Sequence, residues 1–261
     1  MDKETFENYV LPIAIFLGAI VAWEAIVRFY DIQPYVLPAP SAIAYALYED
    51  WGTLFKSLMV TLSITFEALF SAIVGGVVLA LAFHLWRPLE RAFFPFAVVM
   101  QVTPIIAIAP LLLVYLSSGT AVLVCAFLVA FFPILANTAL GLASADHNLI
   151  DLFVLYGASP WQQLALLRLP SALPYFLGGL RIGGGLALIG AIVAEIAAGS
   201  AGSGSGLAFR IVESGFRLKI PRMFAALFLI SITGILIFLF FTGLSYLLLH
   251  RWHESARGRE H

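Results

Sequence analysis

Apolar residues along this chain occur in long runs that turns, prolines and clustered charges separate. No Asp, Glu, Lys or Arg occurs between Arg91 and Asp146, or between Arg222 and Arg251. A helix needs roughly 20 mostly apolar residues to cross a bilayer, so the first gap has room for two crossings and the second for one. The whole pattern predicts an all-α membrane protein with six transmembrane helices, at about 9–28, 57–85, 92–116, 121–142, 172–198 and 223–250.

Small residues and prolines divide these runs and predict local breaks. The Ser117–Thr120 stretch separates the third helix from the fourth with turn-forming residues. Pro104, Pro110 and Pro133 predict kinks or local unwinding, which neighbouring helices or water make tolerable inside a membrane. Between the first two helices, "LPAPSAIAYALYEDW" predicts an extended segment followed by a short helix that Ser41 caps.

The composition supports the membrane class and excludes others. The chain is 62% hydrophobic and 11% charged, whereas a soluble domain carries about a quarter charged residues. A net charge of −1 without a basic run argues against nucleic-acid binding. The single cysteine, Cys125, lies in an apolar stretch, so neither a disulfide nor a multi-cysteine metal site is expected. Residues 1–261 are expected to form a single transmembrane domain, whose acidic start differs from a secretory signal.

The distribution of positive residues does not by itself decide the orientation. Six crossings place both termini on one side, which carries seven Lys or Arg residues against six on the other. This difference is too small for the positive-inside rule to decide the orientation. The basic C-terminal tail favours termini in the cytoplasm, and residues 151–170 then face the cytoplasm as well.

Residues 151–170, "DLFVLYGASPWQQLALLRLP", are too short and too polar in the middle to span the membrane. A short helix is predicted from Asn148 to Tyr156, and Gly157 suits the left-handed residue that ends a helix. The apolar side chains of this segment therefore need to bury against the membrane domain or against a partner.

A second short helix is predicted directly after that turn. Ser159 is a good N-cap, and Pro160 is well suited to the first helical position. We expect this helix to pass through Trp161 and Leu167 and to end before Pro170, because a proline disfavours helical geometry at the residue ahead of it.

The same segment resembles the EAA loop in permease subunits of bacterial ABC importers. That pattern reads Glu-Ala-Ala, three residues, Gly, nine residues, Ile-x-Leu-Pro, and the spacing from Asp151 through Gly157 to Leu167, Leu169 and Pro170 matches it. Two positions depart from the pattern, since Asp replaces Glu and Leu-Phe replaces Ala-Ala. These departures concern the packing of the first short helix.

Further stretches resemble the nitrate, sulfonate and taurine branch of that family. They are "YVLPAPSAI", "TPIIAIAPL", "FFPILANTALGL" and "LPYFLGGLRIGGGLALIGAIVAE", whereas "YLSSGT" stands in place of the family's aromatic-Gly-x-Gly turn. Close relatives of this branch carry pyrimidine, thiamine or riboflavin precursors, and "QVTPIIAIAPL" and "ALPYFLGGLRIG" are slightly more similar to those. The resemblance implies the type I importer permease fold and leaves the substrate open, because specificity there resides mostly in a separate binding protein.

The resemblance also implies partners. The chain has no Gly-x-x-x-x-Gly-Lys-[Ser/Thr] phosphate loop, so it is expected to be a transporter subunit without enzymatic activity or cofactor of its own. ATP would be bound by a cytoplasmic ATPase dimer, the second permease would be another copy of this chain, and a periplasmic or lipid-anchored binding protein would deliver the solute. We call residues 143–171 the docking loop, and its candidate ATPase contacts are Asp151, Tyr156, Gly157, Ala158, Ser159, Pro160, Trp161, Leu169 and Pro170.

The fifth predicted helix is the candidate for the solute pathway and for contact between subunits. Gly179, Gly183, Ala187 and Ala191 recur every four residues and form a ridge of small side chains. Such a ridge allows close helix packing. The sequence leaves open whether the contact lies between two subunits or within one chain.

Arg181 and Glu195 lie on a similar side of that helix but roughly 21 Å apart, too far to pair. Each therefore needs another partner, a water-filled cavity or a membrane boundary, since a lone charge inside a membrane costs at least about 2.5–3.5 kcal/mol. Family members commonly carry Gly-Leu-Arg and Ala-Glu here, which favours a pathway or gate; a structural hydrogen bond is the alternative for Glu195. The remaining pathway candidates are Glu67, Asn137 and Pro104.

Residues 199–222 form the second irregular region, and their Gly-Ser tract is expected to be flexible. The resemblance places this region on the outer side, partly re-entrant, where the binding protein would dock. Its basic residues equally suit a solvated face.

Two other classes of function compete with the importer subunit. An ion-driven secondary transporter would show an inverted repeat and paired mid-membrane acids, and neither is visible. An intramembrane serine protease would need a serine such as Ser159 beside a histidine base, with His84 and His250 as candidates. Both histidines fall near helix ends, where an interfacial role is more usual.

Overall fold

The computed structural model describes residues 10–199 and 204–250. In these residues the chain is helical, and a five-residue π-helical turn (Leu164–Arg168) joins the eighth helix to the ninth. The helices are α1 (Leu11–Phe29), α2 (Pro40–Glu49), α3 (Trp51–Leu85), α4 (Arg87–Val102), α5 (Ile105–Tyr115), α6 (Ser118–Ala143), α7 (His147–Leu155), α8 (Pro160–Gln163), α9 (Leu169–Ala198), α10 (Leu207–Phe216) and α11 (Ile220–Leu249).

Five of these helical segments are long and apolar enough to cross a membrane, namely α1, α3, α6, α11 and the 39-residue run Pro160–Ala198. Helices α4 and α5 meet the same criterion only as a pair, and they are bent by 100° at their junction. Within the described residues, five of the six predicted crossings are thus helices long enough to cross a membrane, and the remaining one coincides with the bent pair. The prediction of one helix at 92–116 was wrong in this respect.

The break between α4 and α5 lies at Thr103 and Pro104. Thr103 has an extended ψ of 125°, because the ring of a following proline disfavours helical geometry. Pro104 is the extended N-cap of α5. The break predicted at Pro104 is confirmed, whereas Pro110 and Pro133 lie inside α5 and α6 without interrupting them.

The short helix predicted after the first crossing is α2, but Ser41 does not cap it. Ala39 is the N-cap and Pro40 occupies the first turn, where its fixed φ and missing N–H cost nothing. Ser41 instead binds Glu24 of α1, with its N–H 3.0 Å from Oε2 and its hydroxyl 2.7 Å from Oε1. The serine therefore ties α2 to α1.

The core lies between α3, α6, α9 and α11. Leu69, Ile134, Ala187 and Phe241, one from each of these helices, are buried in one apolar cluster. Helices α6 and α9 run antiparallel, since Gly179 lies against Asn137 and Gly190 against Ala126. Helix α1 buries only Val27 and so lies at the edge of the bundle.

The helix that begins at Pro160 does not end before Pro170, so that prediction was wrong. The N–H of Leu169 donates to the carbonyl of Leu164 five residues back, which forms the π turn. A proline inside a regular helix lacks its N–H and clashes with the carbonyl four residues earlier, and the wider π turn relieves this conflict. Pro160–Ala198 therefore forms one continuous run.

The bundle has two distinct ends. At the docking end, Leu164 of the π turn packs with Phe83 and Leu142, and Arg168 Nη1 donates to the Leu142 carbonyl (3.3 Å). At the opposite end, which we call the α10 end, helix α10 packs against α3, α9 and α11. Much of the 199–222 connection is therefore ordered helix. The Gly-Ser residues 200–203 and the basic tail 251–261 lie outside the described residues.

Candidate functional site

The turn of the docking loop has the predicted local geometry. Asp146 caps α7, and its Oδ1 accepts from the Asn148 N–H (2.7 Å). Gly157 follows α7 with φ +72°, a left-handed conformation that glycine adopts without strain. The N–H of Ala158 then donates to the Phe153 carbonyl (2.9 Å), which closes the end of the helix. These bonds fix the conformation of the turn between the two short helices.

A capping box starts the second helix of the docking loop. Ser159 Oγ accepts from the Gln162 N–H (3.3 Å), and Gln162 Oε1 accepts from the Ser159 N–H (2.7 Å). Pro160 holds the first helical position, as the sequence predicts. Two backbone donors at the helix start are thus satisfied without a partner protein.

Large apolar side chains of the docking loop are exposed. Leu155, Tyr156 and Trp161 are 82%, 81% and 70% exposed. A shallow cavity of about 360 Å³ opens between the two short helices, with Phe153 and Gly157 among its lining residues. On the opposite side, Leu164 and Leu167 are buried. The loop thus rests on the bundle by one side and presents an apolar surface on the other.

The remaining docking candidates fall into two groups, one around the turn and one at the start of α9. Asp151 and Pro160 are exposed, and Ala158 is partly buried in the turn. Leu169 is 43% exposed, and it begins α9 together with the exposed Pro170. The structure therefore brings the candidates around the turn together and separates Leu169 and Pro170 from it by the π turn.

The small-residue ridge of α9 packs against α6 of the same chain. A Cβ on Gly179 would lie 2.8 Å from Asn137 Cβ, and one on Gly183 would lie 2.9 Å from Ile134 Cγ1. Ala187 and Ala191 continue the ridge and are fully buried. Of the two contacts that the sequence left open, the structure shows the one within the chain.

Glu195 is buried at the α10 end and connects three elements. Its Oε1 accepts from Thr61 Oγ1 of α3 (2.8 Å), and its Oε2 accepts from the Ala208 N–H in the first turn of α10 (3.0 Å). Thr61 Oγ1 accepts in turn from the Leu207 N–H (2.9 Å). A carboxylate here satisfies free N–H groups and complements the positive end of the helix dipole. Gly206 lies so close to this carboxylate that a Cβ would overlap it.

The other pathway candidates have different surroundings. Arg181 is exposed and lies 5.8 Å from the ring centroid of Phe238, and Glu67 is exposed on α3. Asn137 is partly buried, and its Nδ2 donates to the Pro133 carbonyl (2.8 Å). Arg181 and Glu67 therefore lie on the outer surface of transmembrane helices, whereas the side-chain amide of Asn137 is hydrogen-bonded to the backbone.

A second anchor of α10 lies one turn further along. Arg210 Nε donates to Ser57 Oγ of α3 (2.9 Å), and its Nη1 bonds Glu213 Oε2 (2.8 Å). Arg217 pairs with the same carboxylate at 3.0 Å. The hydrogen bond from Arg210 is the main cause that holds the pKa of Glu213 below its ordinary value. The sequence placed these charged residues in an irregular connection, whereas in the structure they stabilise helix α10.

No prediction from the sequence covered Thr61, Gly206 or the Glu24–Ser41 pair. A threonine in an apolar helix and a glycine in a Gly-Ser tract carry no signal of their own. Glu24 was detectable as a charge within the first crossing, where Arg28 Nε also bonds it.

The structure does not hydrogen-bond the candidate serine, Ser159, to either candidate histidine. Ser159 is engaged in its capping box, and His250 Nδ1 lies 3.1 Å and 3.0 Å from the carbonyl oxygens of Tyr246 and Leu247. His84 lies in the last turn of α3. A hydroxyl without a neighbouring base is not activated as a nucleophile.

The fold and the docking loop define a polytopic membrane subunit with a surface for a partner at one end. Residues 72–254 match the family described as binding-protein-dependent transport system inner membrane component, and the chain belongs to this family. The formylaminopyrimidine transport permease protein of Halalkalibacterium halodurans is 37% identical over 86% of this chain and 89% of its own length. The riboflavin transport system permease protein of Chloroflexus aurantiacus is 32% identical, over 94% and 90%. The taurine transport system permease protein of Escherichia coli is 27% identical, over 95% and 91%.

The chain is therefore the transmembrane permease subunit of an ABC importer and a multi-pass membrane protein. It is not an enzyme. ATP hydrolysis belongs to a separate ATPase subunit, and a substrate-binding protein completes such a system.

Proposed function

We propose that two copies of this chain form the membrane part of a bacterial inner-membrane importer. Each docking loop fits a cleft on one subunit of a cytoplasmic ATPase dimer. A periplasmic or lipid-anchored binding protein delivers the solute at the α10 end. Movement of the ATPase subunits then changes the packing of the transmembrane helices and opens a path between the two copies.

The exposed apolar surface of the docking loop is the observation that carries this proposal. Its short helices do not span a membrane, yet Leu155, Tyr156 and Trp161 are more than two-thirds exposed. Contiguous apolar surface on a polar loop marks an interaction site. The capping box and Gly157 fix the shape of this surface before any partner binds, which lowers the entropic cost of association.

Exposed charges on the transmembrane helices support the second copy. Glu67 lies within α3 and Arg181 within α9, and both are exposed in the single chain. Charges within transmembrane helices rarely face lipid, and they mark protein contacts or water-filled paths. A second copy packed against these helix faces provides the two charges with either a protein contact or a water-filled path. The break at Pro104 belongs to the same proposed pathway.

Glu195 is proposed to act at the outer gate by holding α10. The continuous run Pro160–Ala198 extends from the docking loop to this carboxylate. A shift of α9 at the ATPase therefore reaches α10 directly through the 3.0 Å bond to the Ala208 N–H. It also reaches α10 through Thr61 of α3, which bonds Glu195 at 2.8 Å and accepts from the Leu207 N–H at 2.9 Å. This proposal combines the two roles that the sequence left open for Glu195.

The relatives support a vitamin precursor or a similar small solute as the cargo. The formylaminopyrimidine and riboflavin permeases are more similar to this chain than the taurine permease is. The nitrate, sulfonate and taurine class is the alternative.

The test is co-purification of the ATPase from native membranes in mild detergent, followed by an ATP hydrolysis assay. Tyr156→Ala and Trp161→Ala are each expected to weaken ATPase association by about tenfold or more, because exposed aromatic side chains are typical binding hot spots. Phe216→Ala is the matched control, since Phe216 is 87% exposed at the α10 end. In the same assay, Glu195→Gln is expected to retain the ATPase but to lose stimulation of hydrolysis by the loaded binding protein.

Two results would contradict the proposal. One is undiminished ATPase association in both aromatic variants. The other is solute uptake that an ion gradient drives without any ATPase, which would make the chain a secondary transporter.

A further inference from the structure

The break between α4 and α5 opens onto a cavity of about 320 Å³. Its walls come from the end of α4, the start of α5 and the middle of α6 and α9, and they include Gln101, Thr103, Ile105, Val129, Phe132 and Pro133. Pro133 lies about midway along α6, so the cavity lies deep within the proposed pathway. Broken helices at this depth are tolerated where they line a cavity or a binding site.

The cavity contains no ionisable side chain. None of the twelve residues that line it is Asp, Glu, Lys, Arg or His. Arg181, on one of the helices that form the walls, lies instead over the ring of Phe238. An anion placed here would lose its hydration without gaining a cationic partner, and such a transfer is strongly unfavourable.

The helix dipoles at the break do not replace a cation. Helix α4 ends at Val102 and α5 begins at Ile105, so a negative and a positive dipole end meet at the same place. Their partial charges are similar in size and opposite in sign. The cavity is therefore close to neutral.

Hydrogen-bond donors and acceptors are nevertheless available at the walls of the cavity. The Gln101 amide is exposed and makes no hydrogen bond within the part of the chain that the structure describes. Pro133 has no N–H to offer the carbonyl of Val129, four residues earlier, and both residues line the cavity. At the start of α5, the N–H groups of Ile105 and Ile106 have no partner within their own helix, whereas those of the next two residues donate to the Pro104 carbonyl (3.0 and 3.3 Å). Donors and acceptors thus lie beside the ring of Phe132.

We infer that this cavity is a transient solute site and that it accepts a neutral heteroaromatic solute with hydrogen-bond donors and acceptors on its edge. The inference rests on the proposed importer function and narrows its substrate class. A flat ring stacks on Phe132, and its edge bonds the Gln101 amide and the free backbone groups. The volume is at the small end of ligand sites and suits a single small ring system.

The experiment uses the full importer, with its ATPase and binding protein, in proteoliposomes. ATP-dependent uptake is measured for four labelled probes: a 4-aminopyrimidine, riboflavin, taurine and nitrate. The wild type is expected to accumulate at least one of the two heteroaromatic probes and neither of the others. Gln101→Ala is expected to lower the maximal rate about tenfold, the effect of one lost hydrogen bond in the rate-limiting passage. Gln101→Lys is expected to abolish uptake.

Gln33→Ala is the matched control, because Gln33 is exposed outside the cavity, after α1. Its uptake should equal that of the wild type. Accumulation of taurine or nitrate, or of neither heteroaromatic probe, overturns the substrate class. Unchanged uptake in both Gln101 variants overturns the site. Failure of the importer function itself would appear separately, as uptake that an ion gradient drives without the ATPase, an outcome that neither Gln101 variant is expected to cause.

Discussion

Gly206 shows how one missing side chain shapes the α10 end. Its backbone angles, φ −78° and ψ −178°, are open to any residue, so the requirement for glycine comes from space alone. The Glu195 carboxylate, which bonds Thr61 and the Ala208 N–H, occupies the volume that a Cβ at position 206 would need. A side chain here therefore competes directly with the bonds that hold α10.

Gly206→Ala is expected to destabilise the protein by roughly 1–3 kcal/mol, the usual cost of overpacking a buried site. Thermal unfolding in detergent measures the loss. Gly204→Ala is the control, because a Cβ at Gly204 meets no atom within 4 Å. Equal melting temperatures for the two variants would show that the carboxylate moves away at no cost.

Glu213 makes the anchoring of α10 dependent on pH. The bond from Arg210, with the charges of Arg217 and Arg222, lowers its pKa below the ordinary value of 4.5. A carboxyl with a lowered folded pKa stabilises the fold above its unfolded pKa and loses this contribution as the pH falls through the folded pKa. The protection factors of the 207–216 amides, which compare their exchange with the intrinsic rate at the same pH, are therefore expected to fall below about pH 4.5.

Hydrogen exchange with mass spectrometry at several pH values measures this change. Glu213→Gln should lower the protection factors of α10 at neutral pH and remove most of their acid dependence. Protection factors that stay the same from neutral pH to pH 3 in the wild type would contradict the assignment.

At the scale of elements, α6 and α9 form the central pair because small residues let their backbones approach. Gly183→Ala places a Cβ 2.9 Å from Ile134 Cγ1 and 3.3 Å from the Ala130 carbonyl oxygen. We expect a loss of about 1–3 kcal/mol in stability from this overpacking. Chemical or thermal unfolding of the purified chain measures it.

Gly185→Ala is the matched control on the same helix, because nothing lies within 4 Å of its Cβ position. It is expected to leave stability unchanged or to raise it by up to about 1 kcal/mol through helix propensity. A larger loss at Gly185 than at Gly183 would place the critical helix contact on the opposite face of α9, between subunits.

At the scale of the whole molecule, the two ends of the bundle differ in their proposed location. We expect the docking end to face the cytoplasm and the α10 end to face outward. Tyr156→Cys and Phe216→Cys test this, since the residues are 81% and 87% exposed at opposite ends. The native Cys125 is fully buried and should not react.

A membrane-impermeant maleimide added to spheroplasts is expected to label Phe216→Cys at once, and Tyr156→Cys only after permeabilisation. The reverse order would invert the topology and remove the docking loop from the ATPase side.

The sequence by itself determined the class, the five long transmembrane helices and the turn of the docking loop. These features depend on local properties: run length of apolar residues, the left-handed preference of Gly157, and the capping pair Ser159 and Pro160. The expected end of the helix before Pro170 was wrong because a π turn absorbs the proline, and the choice between a π turn and a helix end involves surrounding contacts.

Only the tertiary structure decided which surfaces meet. The ridge from Gly179 to Ala191 fits any close helix contact, and the fold directs it at α6. Glu195 was visible as a charge in an apolar helix, but its partners come from residues 134 positions away on α3 and 13 positions away on α10. The neutral cavity at the α4–α5 break likewise combines residues from four helices. Spacing along one helix fixes which side chains share a face, whereas the partner of that face is fixed by packing across the bundle.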